Sequence, residues 1–503
     1  MKTLAKRALP AGMCLFLHTF ILAGPPRIIQ GLTMLDAIGV AIDNSLQSKM
    51  YRNSYEAGYW EYRSYRASFR PFLKLSADLG GLNRSMVILQ DFNTGNLAYR
   101  TNWSLTDDAC LSLEQAVPLT GGTLSLSAQL SRLDQYLPSR SVTYYAQPLY
   151  LGYSQSLGGY NQYRWNRKIM PEQYELYRRE YVEQMENLKS SVIASYWNYV
   201  SLIDSYERCL KDFDESQRLY ALAKRRHSLG LTEKRSLQQL ELKLVEDSIE
   251  VSNRRLAMQI AHDNLCSHMG ILEDTELELT PDFHVPNVVV PADDVIQRVL
   301  ENSSYSVTRH IQSMQSQQNV ERTRASTGLQ ASVSLRVGLS GTGNLLSSAL
   351  GMLHDQEIAS VSISVPIVDW GEGRARVRQA RAQADMVDSS LEQNMSDYRR
   401  ELVSQVMAFN NMGMVCRLSE RAFQLAQENY SDAIQDYSMG RLTVTELNYI
   451  RSSRDEARLS YIGNVASFWQ QYYNLRSITH WDYIENMPVS EDFNTMENEL
   501  KNK

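Results

Sequence analysis

Residues 359–373, ASVSISVPIVDWGEG, carry two structural signals in succession. Ala359, Val361, Ile363, Val365 and Ile367 alternate with Ser360, Ser362, Ser364 and Pro366. A period of two, apolar on one face and polar on the other, predicts a strand between two different solvents, although a soluble sandwich alternates too. From Gly373 to Met439 there is no proline and one internal glycine, Gly413, and the apolar period changes. Ala384, Val387, Leu391, Met395, Tyr398, Leu402, Val406 and Phe409 follow at steps of three and four. They form a narrow seam near coiled-coil spacing, set in a surface rich in Arg, Gln, Glu and Asp. At about 1.5 Å per residue such a helix approaches ~100 Å. Globular cores seldom need helices of that length, so it must pack beside others like it.

The same pattern occurs earlier in the chain. At an offset of 210, Leu157 falls on Ile367, Tyr160 on Trp370, Arg164 on Arg374, Phe213 on Phe423, Gly230 on Gly440 and Asn264 on Asn474. Nearer the front the offset is 258, with Asn44 on Asn302 and Arg66 on Arg324, so the first half carries 258 − 210 = 48 extra residues. Each half reads as helix, strand region, very long helix, turn, long helix. Leu329 to Leu339 alternates like 359–367. In the first half, Leu73 to Leu79 gives the first strand and Leu149 to Leu157 the last. Within the excess, Leu111 to Leu119 and Thr123 to Leu130 flank Thr120-Gly121-Gly122, an extra hairpin by its turn chemistry. The first long helix, from about Gln162 to Ser228, meets only Pro171. The expected organisation is a leader (1–24), a first repeat (25–272, extra hairpin at 80–140, tip near 230), a linker marked by Pro281, Pro286 and Pro291 (273–291), a second repeat (292–480, tip near 440) and a polar, loosely ordered tail (481–503).

Composition narrows the function. The 503 residues hold 51 Lys+Arg against 57 Asp+Glu, and a net charge of −6 argues against a broadly basic nucleic-acid binder. A mean hydropathy of −0.38 excludes helical membrane bundles but not a β-barrel, whose strands alternate. Lys2, Lys6 and Arg7 ahead of the apolar run Ala11 to Ala23 have the shape of a secretory signal, with cleavage near Ala23 or Gly24, or lipidation at Cys14 as the alternative. Cys110, Cys209, Cys266 and Cys416 show no close pairing and are expected to be free thiols inside helices. His262, Cys266 and His268 offer ligand types, but without a fourth partner chance explains them better than a metal. No nucleophile elbow, phosphate-cradling glycine loop or His-Glu-x-x-His is present, so no catalytic, cofactor or metal site is expected.

Four long helices and short two-faced strands, duplicated behind a secretory signal, resemble the TolC-type outer-membrane efflux family. The likeness rests on the joint Ser364-Val365-Pro366-Ile367-Val368-Asp369-Trp370-Gly371, on Arg66 to Leu75 with Pro71 opening the first strand, and on two glycine-bearing turns, 227–232 and 437–443. It covers roughly residues 31 to 480. It implies a mainly α chain with membrane β: a duplicated helix, strand and long helical hairpin unit that, as a homotrimer, forms an outer-membrane β-barrel continued by a long periplasmic α-helical barrel. Its implied role is a passive exit channel of a tripartite efflux or type I secretion system. Its implied partners are a periplasmic adaptor (membrane fusion) protein, an inner-membrane RND or ABC pump and outer-membrane lipid, with no nucleic acid and no enzymatic activity. The competing reading is a periplasmic or surface coiled-coil protein, structural or adhesive, that forms no pore.

By the same resemblance, the helical tips would meet the adaptor through Ser228, Leu229, Gly230, Leu231 and Thr232, and through Ser438, Met439, Gly440, Arg441, Leu442 and Thr443. Tyr437, Arg441, Glu446 and Ser236 would border the aperture. Glu446 stands where the best-studied member of that family carries an aspartate ring. Its alternatives are a cation-attracting collar and an ordinary solvated helix residue. Leu442 departs from that member's tip arginine, although Arg441 is its neighbour, and Arg235-Ser236 departs from its threonine-aspartate pair, so a copied latch is not expected.

Overall fold

The computed structural model describes residues 28–90, 97–229, 233–439 and 441–502. In chain order the elements are β1 (Ile28–Leu32), α1 (Met34–Asn44), α2 (Leu46–Ala67), β2 (Phe72–Gln90), β3 (Leu97–Val117), β4 (Gly122–Leu137), β5 (Ser141–Leu157), α3 (Gln162–Ser228), α4 (Lys234–Met269) and β6 (Glu276–Leu279). They continue with α5 (Ala292–Asn302), α6 (Ser304–Thr327), β7 (Gln330–Gly343), α7 (Leu346–Gly351), β8 (His354–Ser364), α8 (Glu372–Ser438), α9 (Val444–Thr479), β9 (Trp481–Asp482), β10 (Met487–Pro488) and α10 (Phe493–Asn502). The chain is mainly helical, and α3 and α8 are each 67 residues long. It forms two compact units, one from residues up to Ser45 together with Val192–His284, the other from Leu46–Ser191 and Val285 onward.

In the first unit β1 pairs in parallel with β6, inside the proline-marked stretch. Helix α1 starts on a capping box in which Thr33 and Asp36 exchange hydrogen bonds. Its Ala37 and Ala41 are fully buried, as are Val192, Ile193, Tyr196, Leu265 and Met269. The Tyr196 hydroxyl donates to Leu32 O at 3.1 Å, which gives this buried polar group its partner. Helix α4 ends at Gly270 in the left-handed region (φ +69). A Cβ there would lie 2.6 Å from Asn44 O, so only glycine fits.

The second unit holds a six-stranded sheet in the order β2-β3-β4-β5-β7-β8, antiparallel at every step. In the same unit, Trp165, Ile169 and Leu176 of α3 pack with Val307 and Ile311 of α6. In the α8–α9 hairpin the seam residues Leu391, Leu402, Val406 and Phe409 are buried and Ala384, Val387, Met395 and Tyr398 half-buried, as the three-and-four spacing requires. Phe409 lies against Phe468 (ring centroids 5.2 Å apart).

Two expectations need correction. Cys110 lies in strand β3, not in a helix; the other three free thiols are helical. The stretch after Trp481 is ordered. Its β9–β10 hairpin and α10 dock on this unit, with Phe493 and Leu500 buried and the Tyr55 ring tilted against Phe493 at 5.3 Å. The Tyr174 hydroxyl donates to Glu497 at 2.7 Å. Beneath the hairpin, Arg476 stands between Glu186, whose side chain is 1% exposed, and Asp482, at 7%.

Candidate functional site

Two regions carry the features read from the sequence: the sheet with its joints to the long helices, and the helical tips. Across the sheet one hydrogen-bonded row reads Leu73, Leu113, Leu126, Leu151, Val337 and Glu357. The next row reads Lys74, Ser112, Ser127, Tyr150, Gly338 and Gln356. Neighbours along a row share a face and successive rows alternate, so one face is mainly apolar, with Glu357 at the end of its row, and the other mainly polar. Leu73, Leu75, Val361 and Ile363 are all more than half exposed in the single chain.

The joint from β8 to α8 is built by Asp369. Its carboxylate accepts the Gly371 and Gly373 N–H groups, both at 2.9 Å, satisfying donors that a helix start leaves unpaired. Those bonds hold the Asp369 carboxyl below its ordinary pKa. Trp370 takes φ +52 and projects into solvent at 97% exposure, beside Ile367 at 93%. At the equivalent place ahead of α3, Asn161 Oδ1 accepts the Arg164 N–H (3.1 Å), while its Nδ2 donates to Pro118 O in the β3–β4 turn (3.0 Å). Of the aromatic residues near the strands, Trp165 is core, and its indole N–H donates to Glu321 (2.9 Å). Arg374, Arg376, Arg378 and Arg381 are all exposed.

At the first tip, Ser228 ends α3 with its hydroxyl donating to Arg225 O (2.7 Å), and Leu229 is 73% exposed. Gly230, Leu231 and Thr232 lie outside the described residues. Glu233 caps α4 without a side-chain bond, and Ser236 is half-buried in the first turn. At the second tip, Tyr437 is half-buried, Ser438 closes α8 and Met439 is 62% exposed. Gly440 lies outside the described residues. The Arg441 N–H returns to Asp436 O (2.9 Å), and its guanidinium approaches the Asp436 carboxylate at 3.7 Å. Leu442 is half-buried.

Glu446 has a function the sequence reading missed. Thr443 is the N-cap of α9, and its Oγ1 accepts the Glu446 N–H at 3.3 Å. The Glu446 carboxylate in turn accepts the Thr443 N–H at 2.9 Å and its hydroxyl at 2.7 Å. The signal was present as Thr443-x-x-Glu446, the capping-box pattern. These bonds keep Glu446 below the ordinary carboxylate pKa, so it is charged at neutral pH. At the start of α4 the cap residue Glu233 makes no such exchange.

The histidines beside Cys266 have partners within the protein. His262 reaches Thr275 O at 2.8 Å and Asp263 at 3.0 Å, and His268 meets the Ser195 hydroxyl at 2.5 Å. Among the described residues no group of three or more His, Cys, Asp or Glu side chains is placed to hold a metal, and no helix is long and apolar enough to cross a membrane.

No protein-family model and no curated protein matches this sequence. Solved structures do match. The chain is similar to the Campylobacter jejuni CmeC outer membrane channel (13% identity, TM-score 0.65, 93% of this chain and 89% of that one). It is similar to a membrane protein from Pseudomonas aeruginosa (14%, TM-score 0.64, 91% and 92%) and to the outer membrane protein VceC from Vibrio cholerae (13%, TM-score 0.61, 89% and 95%). The chain therefore has the TolC-type outer-membrane channel fold, over nearly its whole length.

Proposed function

We propose that this chain is one subunit of a trimeric, passive outer-membrane exit channel. The observation that carries the reading is a two-faced sheet whose outer strands, β2 and β8, have no further strand beside them among the described residues, continuous through Asp369 and Asn161 with helices of 67 residues. A sheet with one apolar and one polar face fits lipid outside and water inside, but only if its edges are closed by further copies. The two repeats, 25–272 and 292–480, would each contribute strands to that wall and a helical hairpin to a periplasmic tube. The first 24 residues would direct export and be removed.

In this reading the tips, Ser228 to Thr232 and Ser438 to Thr443, meet a periplasmic adaptor, and an RND or ABC pump in the inner membrane supplies the energy. Tyr437, Arg441, Glu446 and Ser236 border the aperture, where three Glu446 carboxylates would favour cations. The capping role does not compete with this, because the bonded carboxylate remains charged. Transport itself requires no catalytic group.

The test is fractionation of cells expressing the full chain. Retention in the outer membrane through high-salt and carbonate washes, release only by detergent, and a trimer band that collapses on heating are expected. Release by salt or carbonate alone would instead favour a non-channel coiled-coil protein.

A further inference from the structure

The sheet fixes the size of the barrel. This inference rests on the channel reading above and goes beyond it. The second repeat supplies two wall strands, β7 and β8, whereas the first supplies four, the difference being the hairpin β3–β4. If that hairpin lay outside the wall, three copies with four strands each would close a barrel of twelve. If it lies within, three copies of six give eighteen.

Strands β3 and β4 stand between β2 and β5, hydrogen-bonded on both sides. One row, Phe72–Glu114–Ser125–Gly152–Arg336–Ile358, crosses all six strands. The hairpin also continues both faces, placing Leu113 and Leu126 in the apolar row and Ser112 and Ser127 in the polar one. Its turn is fastened at the helix end of the sheet by Asn161 and by Gln155, whose Nε2 donates to Thr120 O at 2.7 Å. Lifting the hairpin out would strip β2 and β5 of these ladders.

The outer strands are suited to one another. Five antiparallel steps separate β2 from β8, so they run in opposite directions, and β8 of one copy can pair antiparallel with β2 of the next. Both have their helix-side ends at comparable points, Phe72 and Ser364. The row that leaves Phe72 arrives at Ile358, six residues short of Ser364. Setting Ser364 opposite the next copy's Phe72 therefore advances the register by six residues over six strands. With ~3.3 Å rise per residue and ~4.8 Å between strands, the strands tilt by about 35°, in the range of closed barrels. The same register sets Ile363 opposite Leu73, Val361 opposite Leu75 and Ala359 opposite Ala77, with Ser362 on Lys74. A slip of one residue would put serines on the lipid face.

We propose that three copies close a single eighteen-stranded barrel through a β8–β2 seam in this register. At that strand number and tilt the backbone diameter is about 34 Å, against about 22 Å for twelve strands, roughly doubling the cross-section. The barrel is then not the narrow point of the conduit, and size selection falls to the helical tips.

The test is a cryo-electron microscopy reconstruction of the full chain extracted in mild detergent, combined with cysteine pairing. Eighteen wall strands in a threefold ring are expected. Oxidation of the double variant Leu73→Cys/Ile363→Cys should give covalent dimers and trimers, whereas Leu73→Cys/Ser362→Cys and the single variants stay at the background set by the native thiols. A threefold ring of twelve strands with β3–β4 displaced would overturn the inference and leave the channel intact. A ring of eighteen without the 73–363 cross-link would overturn the seam register. Particles without a threefold ring would overturn the channel reading itself.

Discussion

The buried charges around Arg476 provide a quantitative test of how the C-terminal segment is held. Arg476 Nη1 lies 2.6 Å from Asp482, and its Nε lies 2.9 Å from Glu186, close enough for an ion pair but not aligned as a hydrogen bond. Lys189 adds a contact to Glu186 at 2.5 Å, and Tyr472 donates to Asp482. Replacing Arg476 by Met strands two buried carboxylates. Breaking a buried pair typically costs about 3–5 kcal/mol, and Lys189, which still neutralises part of Glu186, places the expected loss near 3 kcal/mol. Thermal unfolding of the purified protein, followed by circular dichroism, should show the Arg476→Met midpoint lowered by about 3 °C, since the unfolding entropy of a chain this long is large. The exposed Arg374→Met should stay within about 0.5 kcal/mol of the parent. Adding Glu186→Gln to Arg476→Met should recover part of the loss by removing one stranded charge. A melting point unchanged by Arg476→Met, or a double variant no more stable than the single, would refute the electrostatic account.

Other outcomes follow from single residues. Gly270→Ala should destabilise the first unit by more than the ~1–2 kcal/mol of left-handed strain alone, because its Cβ meets the Asn44 backbone; chemical denaturation measures it. In reconstituted channels Glu446→Gln should weaken cation preference while keeping α9 capped, and Glu446→Lys should lose both; equal selectivity in Gln and parent would remove Glu446 from the aperture. Burial pushes the Cys266 and Cys416 thiols up to about 11, so a thiol reagent at pH 8 should label them only after unfolding. For the C-terminal segment two pH effects oppose. Burial alone would raise the Asp482 pKa, but the Glu485 N–H, the Tyr472 hydroxyl and Arg476 together hold it below 3.8, so its contribution is present above that pH and lost on further acidification. Burial raises Glu491 above 4.5, so its contribution is present below that pH and lost as pH rises through its folded pKa. Amide exchange in 481–502, corrected for intrinsic rate, should therefore be slowest near pH 4–4.5 and faster at both pH 3 and pH 7.

Much of the fold was legible because period reports burial directly. The alternation became strand over 330–339 and 359–364, while Val365 to Ile367 fall beyond β8 in the joint to α8, and the seam from Ala384 to Phe409 became the helix its spacing implied. Strand order was not legible, since a hairpin's turn chemistry fixes its own two strands and says nothing of their outer neighbours. The tail was misread on overall polarity, although Phe493, Met496 and Leu500 recur at three and four residues, enough for one buried stripe on a short helix. At the tips the turns are recognisable from their glycines, but a lumen charge and a solvated residue do not exhaust Glu446, because Thr443-x-x-Glu446 also encodes a local capping box.

The most direct test of the central claim is negative-stain electron microscopy of the full chain extracted from membranes in mild detergent. Threefold end views with a central opening are expected, and side views with about 100 Å of helical tube below a detergent-collared barrel. Compact or unsymmetric particles that stay dispersed without detergent would contradict it, and the two-faced sheet would then have to be covered by something other than copies of itself and lipid.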